Sequence, residues 1–386
     1  MKLRIGCRIG TAEHACLISI EILALAGLCF SQAPTLPSDW TEFHRTNMVR
    51  VNPNETALNV SNVGGLRPKW RYATGGYLFS APAVANGVVY VGSSDKNIYA
   101  LNASNGAKLW RYATLAQVLS SPAVANGVVY VGSEDSNVYA LKATTGDLLW
   151  SYPTAGSVDS SPTVTNGVVY VGSQDSNVYA LNASTGAKIW NYTTGRPIMY
   201  CSPAVADGEV FVTSNDGNLY ALDARTGSLR WHYPSGNFSL SSPAVANGVV
   251  FVGSYNNSVY AVDAFKGTLL WSYPTGSLVY SSPAVANGVV YVGSYDGNVY
   301  ALNASTGAKV WSYTTPTIVE SSPAVANGVV YFGSDDQSVY ALNAGTGALL
   351  WHYRTGGPAD ASPVVANGVL FVNSQDSNAY AFGLKP

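Results

Sequence analysis

Eight tryptophans recur along the chain at an almost constant interval. Trp70, Trp110, Trp150, Trp190, Trp231, Trp271, Trp311 and Trp351 are 40 residues apart, with one step of 41. Each copy of such a repeat has to build the same unit and bury its apolar faces against its neighbours. A 40-residue period without helical patterning predicts a β-propeller, one four-stranded blade per repeat. The copy after Val279 shows the parts. SSPAVA is inner strand A, followed by the turn Asn287-Gly288, whose sequence favours a type I′ hairpin. VVYVGS is strand B, then comes the turn Tyr295-Asp296-Gly297, then NVYALNA as strand C. After Ser305-Thr306-Gly307, KVWSYTT is outer strand D. Strands B and C are apolar at successive positions, which fits sheets covered on both faces. The expectation is an all-β chain, a single eight-bladed propeller of four-stranded antiparallel blades. Each of the eight tryptophans docks between adjacent blades.

Counting strands predicts how the ring closes. Strand A occurs eight times, marked by Pro82, Pro122, Pro162, Pro203, Pro243, Pro283, Pro323 and Pro363. The first seven prolines are each followed 28 residues later by a Trp, whereas Pro363 is not. LRPKWRYATGG around Trp70 supplies the missing outer strand from the N-terminal side. The propeller therefore spans residues 66–386, and closure removes the unpaired edges of a linear array.

The residues ahead of the ring read as a secretory signal (1–33) and an N-terminal strap (34–65). Lys2, Arg4 and Arg8 precede an apolar run at residues 16–30 that is too short to cross a bilayer, so no transmembrane span is expected in the mature chain. Glu21 interrupts the run. Ala24-Leu25-Ala26 and Ser31-Gln32-Ala33 are alternative cleavage sites, and Cys29 raises lipidation as a second outcome. The expected location is periplasmic or extracellular, with outer-membrane association as one form of it. Three of the four cysteines fall in this leader, and Cys201 occupies a Ser position of the repeat, as a small core residue does. The net charge is −2, charged residues are 11% of the chain, and no basic run exists, which argues against a nucleic-acid partner. A monomer is expected.

The repeated G-S-x-D-x-N-V-Y-A-L-N-A-x-T-G-x-x-x-W, seen at Gly172–Trp190 and Gly293–Trp311, resembles the pyrroloquinoline-quinone-like (PQQ-like) repeat propellers. Asp39-Trp40, Phe43-His44 and Asn52-Pro53 resemble the strap found before the first blade in some members. The family includes quinoprotein alcohol dehydrogenases and the BamB-like scaffold of outer-membrane assembly. The dehydrogenases hold the quinone between a Trp floor and a disulfide of adjacent cysteines, with calcium on Glu, Asn and Asp. This chain has no Cys-Cys pair, and Trp40 is its one tryptophan beyond the eight docking residues. The resemblance therefore implies the BamB-like scaffold over a PQQ-dependent dehydrogenase, with no catalytic residues and neither quinone nor calcium as cofactor.

Outside the leader the histidines are His44, His232 and His352, and no zinc spacing, G-x-S-x-G elbow or phosphate loop occurs. The column Asp95, Asp135, Asp175, Asp216, Asp296, Asp336 and Asp376 reads as turn chemistry, with no metal. Function is expected where the repeats diverge. Strand order puts the uniform A–B and C–D turns on one face, and the variable D–A connections and B–C turns on the other. Three residues before each strand-A proline stand Phe79, Leu119, Asp159, Tyr200, Leu240, Tyr280, Glu320 and Asp360. Of 26 tyrosines, 21 lie in three repeating columns, and the other five are Tyr77, Tyr200, Tyr255, Tyr280 and Tyr295. These five, with Phe79, Phe238, Glu320 and Asp360, form the expected binding face. A Tyr-rich patch beside an acidic arc suits an envelope or extracellular protein partner, or a carbohydrate.

Overall fold

The computed structural model describes residues 38–45, 48–236 and 240–385; the expected leader and Phe238 lie outside them. Eight sheets form the ring, each an antiparallel blade of four strands in the order A–B–C–D, and in blade 7 the strap strand Val51–Asn52 adds a fifth, parallel to inner strand Ala324–Ala326. In blade 6 the strands are Ala284–Ala286, Val289–Gly293, Asn298–Asn303 and Lys309–Thr314. Strand A is shorter than SSPAVA because Pro283 has no N–H to place in a ladder. The A–B turn is type I′ as its Asn-Gly sequence requires, with φ of 50° at Asn287 and 76° at Gly288. Strand Arg67–Ala73 pairs with Asn378–Gly383, Trp70 opposite Ala381, and closes the eighth blade. Among the described residues no helix is long and apolar enough to cross a membrane.

The tryptophans dock as the repeat implies. The Trp110 indole donates to the Ala143 carbonyl of the next blade at 2.8 Å. The same blade's Gly146 lies flat on the ring: a Cβ there would stand 2.6 Å from an indole carbon, and its φ is +76°. Glycine is thus required twice over in the C–D turn. At the closure Trp351 donates instead to the Leu66 carbonyl, at 3.2 Å. Each hydrophobic cluster spans two neighbouring blades, so no blade has a core of its own.

The turn carboxylates are fully occupied by the fold. In blade 3, Asp175 Oδ1 accepts from the Asn177 N–H at 2.9 Å. Its Oδ2 accepts from the Tyr179 hydroxyl at 2.7 Å and from the Ala155 N–H, on the preceding connection, at 2.9 Å. The arrangement recurs at Asp95, Asp135, Asp216, Asp296 and Asp376. It explains the tyrosine column of strand C as well as the aspartate column.

The strap solves a problem that every propeller has. Strand A is the innermost strand, and its free edge points backbone groups into the channel, where they need partners. Between Trp40 and Asn52 the strap visits all eight blades in chain order. Trp40 bridges to Val84, and the Val124 N–H donates to the Thr41 carbonyl. The Val164 N–H donates to Glu42 Oε2, and His44 Nε2 meets the Ser202 carbonyl. The N–H groups of Val245, Val285 and Val325 donate to the carbonyls of Met48, Val49 and Arg50. Asn52 Nδ2 then reaches the Val365 carbonyl at 2.8 Å. Ser38, Asp39 and Glu55 accept from the A–B turn N–H groups of Asn367, Asn86 and Gly368. The strap therefore lies at the A–B face of the channel.

Candidate functional site

The divergent column converges on the opposite mouth. A cavity of about 350 Å³ opens there, lined by Phe79, Leu119, Asp159, Tyr200, Leu240, Tyr280, Glu320 and Asp360. One residue comes from each blade, and these are the eight positions three before the strand-A prolines. Beneath them lies a ring of serines. The N–H groups of Ala81, Ser121, Ser161, Ser202, Ser242, Ser282 and Ser322 each donate to the serine hydroxyl of the following blade, at 2.8–3.1 Å. Ala81 lacks the hydroxyl that would complete the circle. The serine one residue earlier accepts from the strand-B glycine, as Ser281 does from the Gly293 N–H. Cys201 holds that position in blade 4, where it is fully buried, accepts from the Thr213 N–H, and has its thiol pushed up to about 11 by burial.

The cavity ends on Phe43 of the strap, a floor that sequence reasoning missed. Phenylalanine provides the aromatic floor here, since Trp40, the one tryptophan beyond the docking eight, is buried between blades 8 and 1. Arg50 is fully buried, with its guanidinium 4.5 Å from the Phe43 ring centroid. It donates to the carbonyls of Phe43, Ser322, Pro323 and Pro363. Burial pulls Arg50 down to about 9 and the neighbouring His44 down to about 3, Arg50 adding to the latter shift.

The expected binding residues separate into three groups. Tyr255, Tyr280 and Tyr295 form a stack, with ring centroids 4.6 and 4.7 Å apart and the second pair nearly parallel. The Tyr295 hydroxyl donates to Glu320. Tyr200 stands apart from this stack, 43% exposed, with φ of +57°, a strained value for a tyrosine. Burial, then Asp159, Glu134 and Tyr280, push its phenol up to about 12. Tyr77 packs edge-on against Phe79 at the rim, outside the cavity.

The acidic side is wider than the arc read from blades 7 and 8. Asp159 of blade 3 joins it, 2% exposed, with Oδ2 accepting from Gln174 at 2.5 Å. Burial raises its carboxyl, and burial with the charge of Asp159 raises Glu134 nearby. Glu320 is raised by burial, with the Tyr295 hydrogen bond opposing and Asp335 reinforcing. Asp360 is pushed up to about 8 by burial and by sharing space with Asp335 and Glu320, against a hydrogen bond from Gln375. Asp159 stood in the divergent column, so its place was readable; its tight burial was not.

Two groups known from this fold can be tested against these walls. Pyrroloquinoline quinone is a flat tricarboxylate, and a site for it needs cationic or donor-rich walls. The residues lining this cavity include Asp159, Glu320 and Asp360 and no Lys, Arg or His. Arg50 spends its donors on main-chain carbonyls behind Phe43. The lining does not fit the quinone. For calcium, among the described residues no three His, Cys, Asp or Glu side chains are grouped to hold a metal ion.

A family model described as outer membrane protein assembly factor BamB matches the chain at residues 64–123, 113–240, 235–322 and 314–385. No curated protein matches it by sequence. Among solved structures, BamB from Moraxella catarrhalis is 21% identical with a TM-score of 0.72, over 83% of this chain and 100% of that one. A europium-containing methanol dehydrogenase is 16% identical with a TM-score of 0.77, over 90% and 98%. The computationally designed Ika8 protein is 17% identical with a TM-score of 0.73, over 81% and 98%. At these identities the likenesses speak to the fold.

Proposed function

This chain belongs to the family of the outer membrane protein assembly factor BamB, and from that premise we propose that it is a non-catalytic interaction platform of the cell envelope. It holds a protein partner at the open mouth of its channel. One observation carries this reading: eight repeat positions of divergent chemistry, one from each blade, line one cavity, while the opposite mouth is occupied by the strap. Loops on a rigid ring can vary without cost to the frame, and binding concentrates there. Exposed Tyr77 and Tyr200 and the half-buried stack are aromatic anchors of the kind that dominate interfaces. Export to the periplasm, with attachment at the outer membrane, is part of the same proposal. A quinoprotein dehydrogenase is disfavoured by the acidic walls. Quinone and calcium added with an alcohol are expected to give no dye reduction.

The test is photo-cross-linking in intact envelopes, with the reactive group placed at Tyr77 or, as the control, at Asn287 in the uniform A–B turn. A partner captured from Tyr77 and not from Asn287 supports the reading, and Tyr200, Tyr255 and Tyr280 changed together to Ser are expected to abolish capture. The same partner captured equally from both faces would sink it.

A further inference from the structure

Three carboxylates at the open mouth have an oxygen the fold does not use. Asp159 Oδ1, Asp335 Oδ1 and Asp360 Oδ1 are buried and meet no N–H or hydroxyl donor of the fold, the last two carboxyls lying close enough to share one proton between them. Asp159 is 98% buried by its 2% exposure and lines the cavity, as do Asp360 and Glu320. A buried acceptor without a donor is unfavourable, and elsewhere in this ring the acidic turns leave none. What the cavity lacks is positive charge; its donors are the hydroxyls of serines and tyrosines. What it has besides acceptors is aromatic surface: Tyr200, Tyr280 and Tyr295.

We propose that the open mouth is a receptor for one organic cation, the guanidinium or ammonium of an Arg or Lys side chain carried by the bound protein partner. This rests on the platform reading above and adds the chemistry of what enters the cavity. A guanidinium brings five donors and an ammonium three, matched to carboxylates that need them. The phenol faces of Tyr200, Tyr280 and Tyr295 favour a cation over an isosteric neutral group. A cavity of about 350 Å³ has room for a single long side chain. Phe43 serves as an apolar floor and not as a cation partner, because the Arg50 guanidinium already stands over its ring at 4.5 Å.

The groups lining the space an entering cation would fill are Asp159, Glu320 and Asp360, with the phenols of Tyr200, Tyr280 and Tyr295; Glu134, Asp335 and Tyr255 stand beside them. Arg50 is the opposing charge behind the floor. Burial holds Asp159, Glu320 and Asp360 above the usual carboxylate range, with repulsion from neighbouring carboxylates adding at Glu320 and Asp360. A cation stabilises their ionised forms, so its binding releases protons, and affinity rises as pH is raised from about 6 to about 8.5.

The experiment uses the full chain and saturation-transfer NMR with three probes: N-acetyl-arginine amide, N-acetyl-lysine amide, and N-acetyl-citrulline amide as the uncharged isostere of the first. The cationic probes are expected to bind at least about 10-fold more tightly than citrulline, and more tightly at the higher pH. Asp159→Asn and Asp360→Asn each lower their affinity about 10-fold while the thermal unfolding curve is retained. The probe comparison on the unaltered protein stands even if a variant folds poorly. Equal binding of arginine and citrulline probes, or no binding of either cation at about 10 mM, overturns the inference. A partner cross-linked at Tyr77 without cation binding overturns this inference alone. Cation binding with a partner captured equally from both faces overturns the platform and removes the proposed carrier.

Discussion

At one mouth of the channel the strap supplies acceptors to the inward N–H groups of Val84, Val124, Val164, Val245, Val285 and Val325. At the other, the same eight blades present a phenylalanine, two leucines, two tyrosines and three acids to a cavity. Both ends start from strand A. The strap end is occupied by protein that pairs the strand-A N–H groups, although Trp40 Nε1 and His44 Nδ1 are buried there without a partner. The open end keeps acceptors unpaired, phenols stacked and a tyrosine at positive φ. The lesson is that a repeat ring can concentrate its stability at one end and leave chemistry available at the other. Substitutions at the two ends should therefore act on different observables.

The largest expected effect comes from the closure that both ends depend on. Deleting Leu66–Gly75 leaves Asn378–Gly383 without its outer neighbour and Trp351 without its acceptor. Loss of Trp70 alone is worth about 3–5 kcal/mol, and the deletion should remove cooperative thermal unfolding. A wild-type unfolding temperature would mean the ring closes some other way. Next, Arg50→Ala strips a donor from four carbonyls at the strap end, at about 1 kcal/mol each. Denaturant unfolding should show a loss of about 4 kcal/mol.

A smaller effect separates frame from site within the open face itself. Asp175→Ala frees the Tyr179 hydroxyl and the Ala155 N–H, and should cost about 1–3 kcal/mol. Partner capture should be unchanged, since this carboxylate is internal to its turn; lost capture would move the site outward along blade 3.

The smallest effect is a pH dependence shared by the two ends. Burial pushes Glu42, whose Oε2 accepts the Val164 N–H, up to about 8, and Asp360 stands at about 8. For a carboxyl raised in the folded state, the stabilising contribution is fully present below its ordinary value and lost as pH climbs through the folded one. His44, pulled down to about 3, acts oppositely and only as pH falls below 6.5. Between pH 6.5 and 8, below the range in which Arg50 and Cys201 enter, the carboxyls dominate, and the unfolding temperature should fall by a few degrees. Glu42→Gln and Asp360→Asn should each remove part of the slope, and of the two only Asp360→Asn should also weaken cation binding. A flat profile in the unaltered protein would contradict both assignments.

Much of this was legible from spacing. The 40-residue interval specified the blade, the proline-to-tryptophan count specified the donated strand, and Asn-Gly specified the A–B hairpin, because each rule depends on a few residues close in sequence. The column before the strand-A prolines was readable as a variable ring for the same reason. Tyr77 and the stack of Tyr255, Tyr280 and Tyr295 fell on the expected face, although Tyr77 stays outside the cavity and Tyr200 outside the stack. The aspartate column was read correctly as turn chemistry, yet its pairing with the strand-C tyrosine emerged only with the strands in register.

By itself the sequence determined the unit, its number and the way the circle is completed, since those follow from periodicity and local backbone chemistry. Tertiary structure decided what lies inside the circle. The strap carries no repeat, so nothing local announces that residues 40–52 would visit every blade in turn, that Phe43 would floor a cavity, or that Arg50 would lie behind it. Nor can spacing say that Asp159, Glu320 and Asp360, 161 and 40 residues apart in the chain, share one desolvated space. Desolvation depends on everything that surrounds a group, and only the closed ring supplies those surroundings.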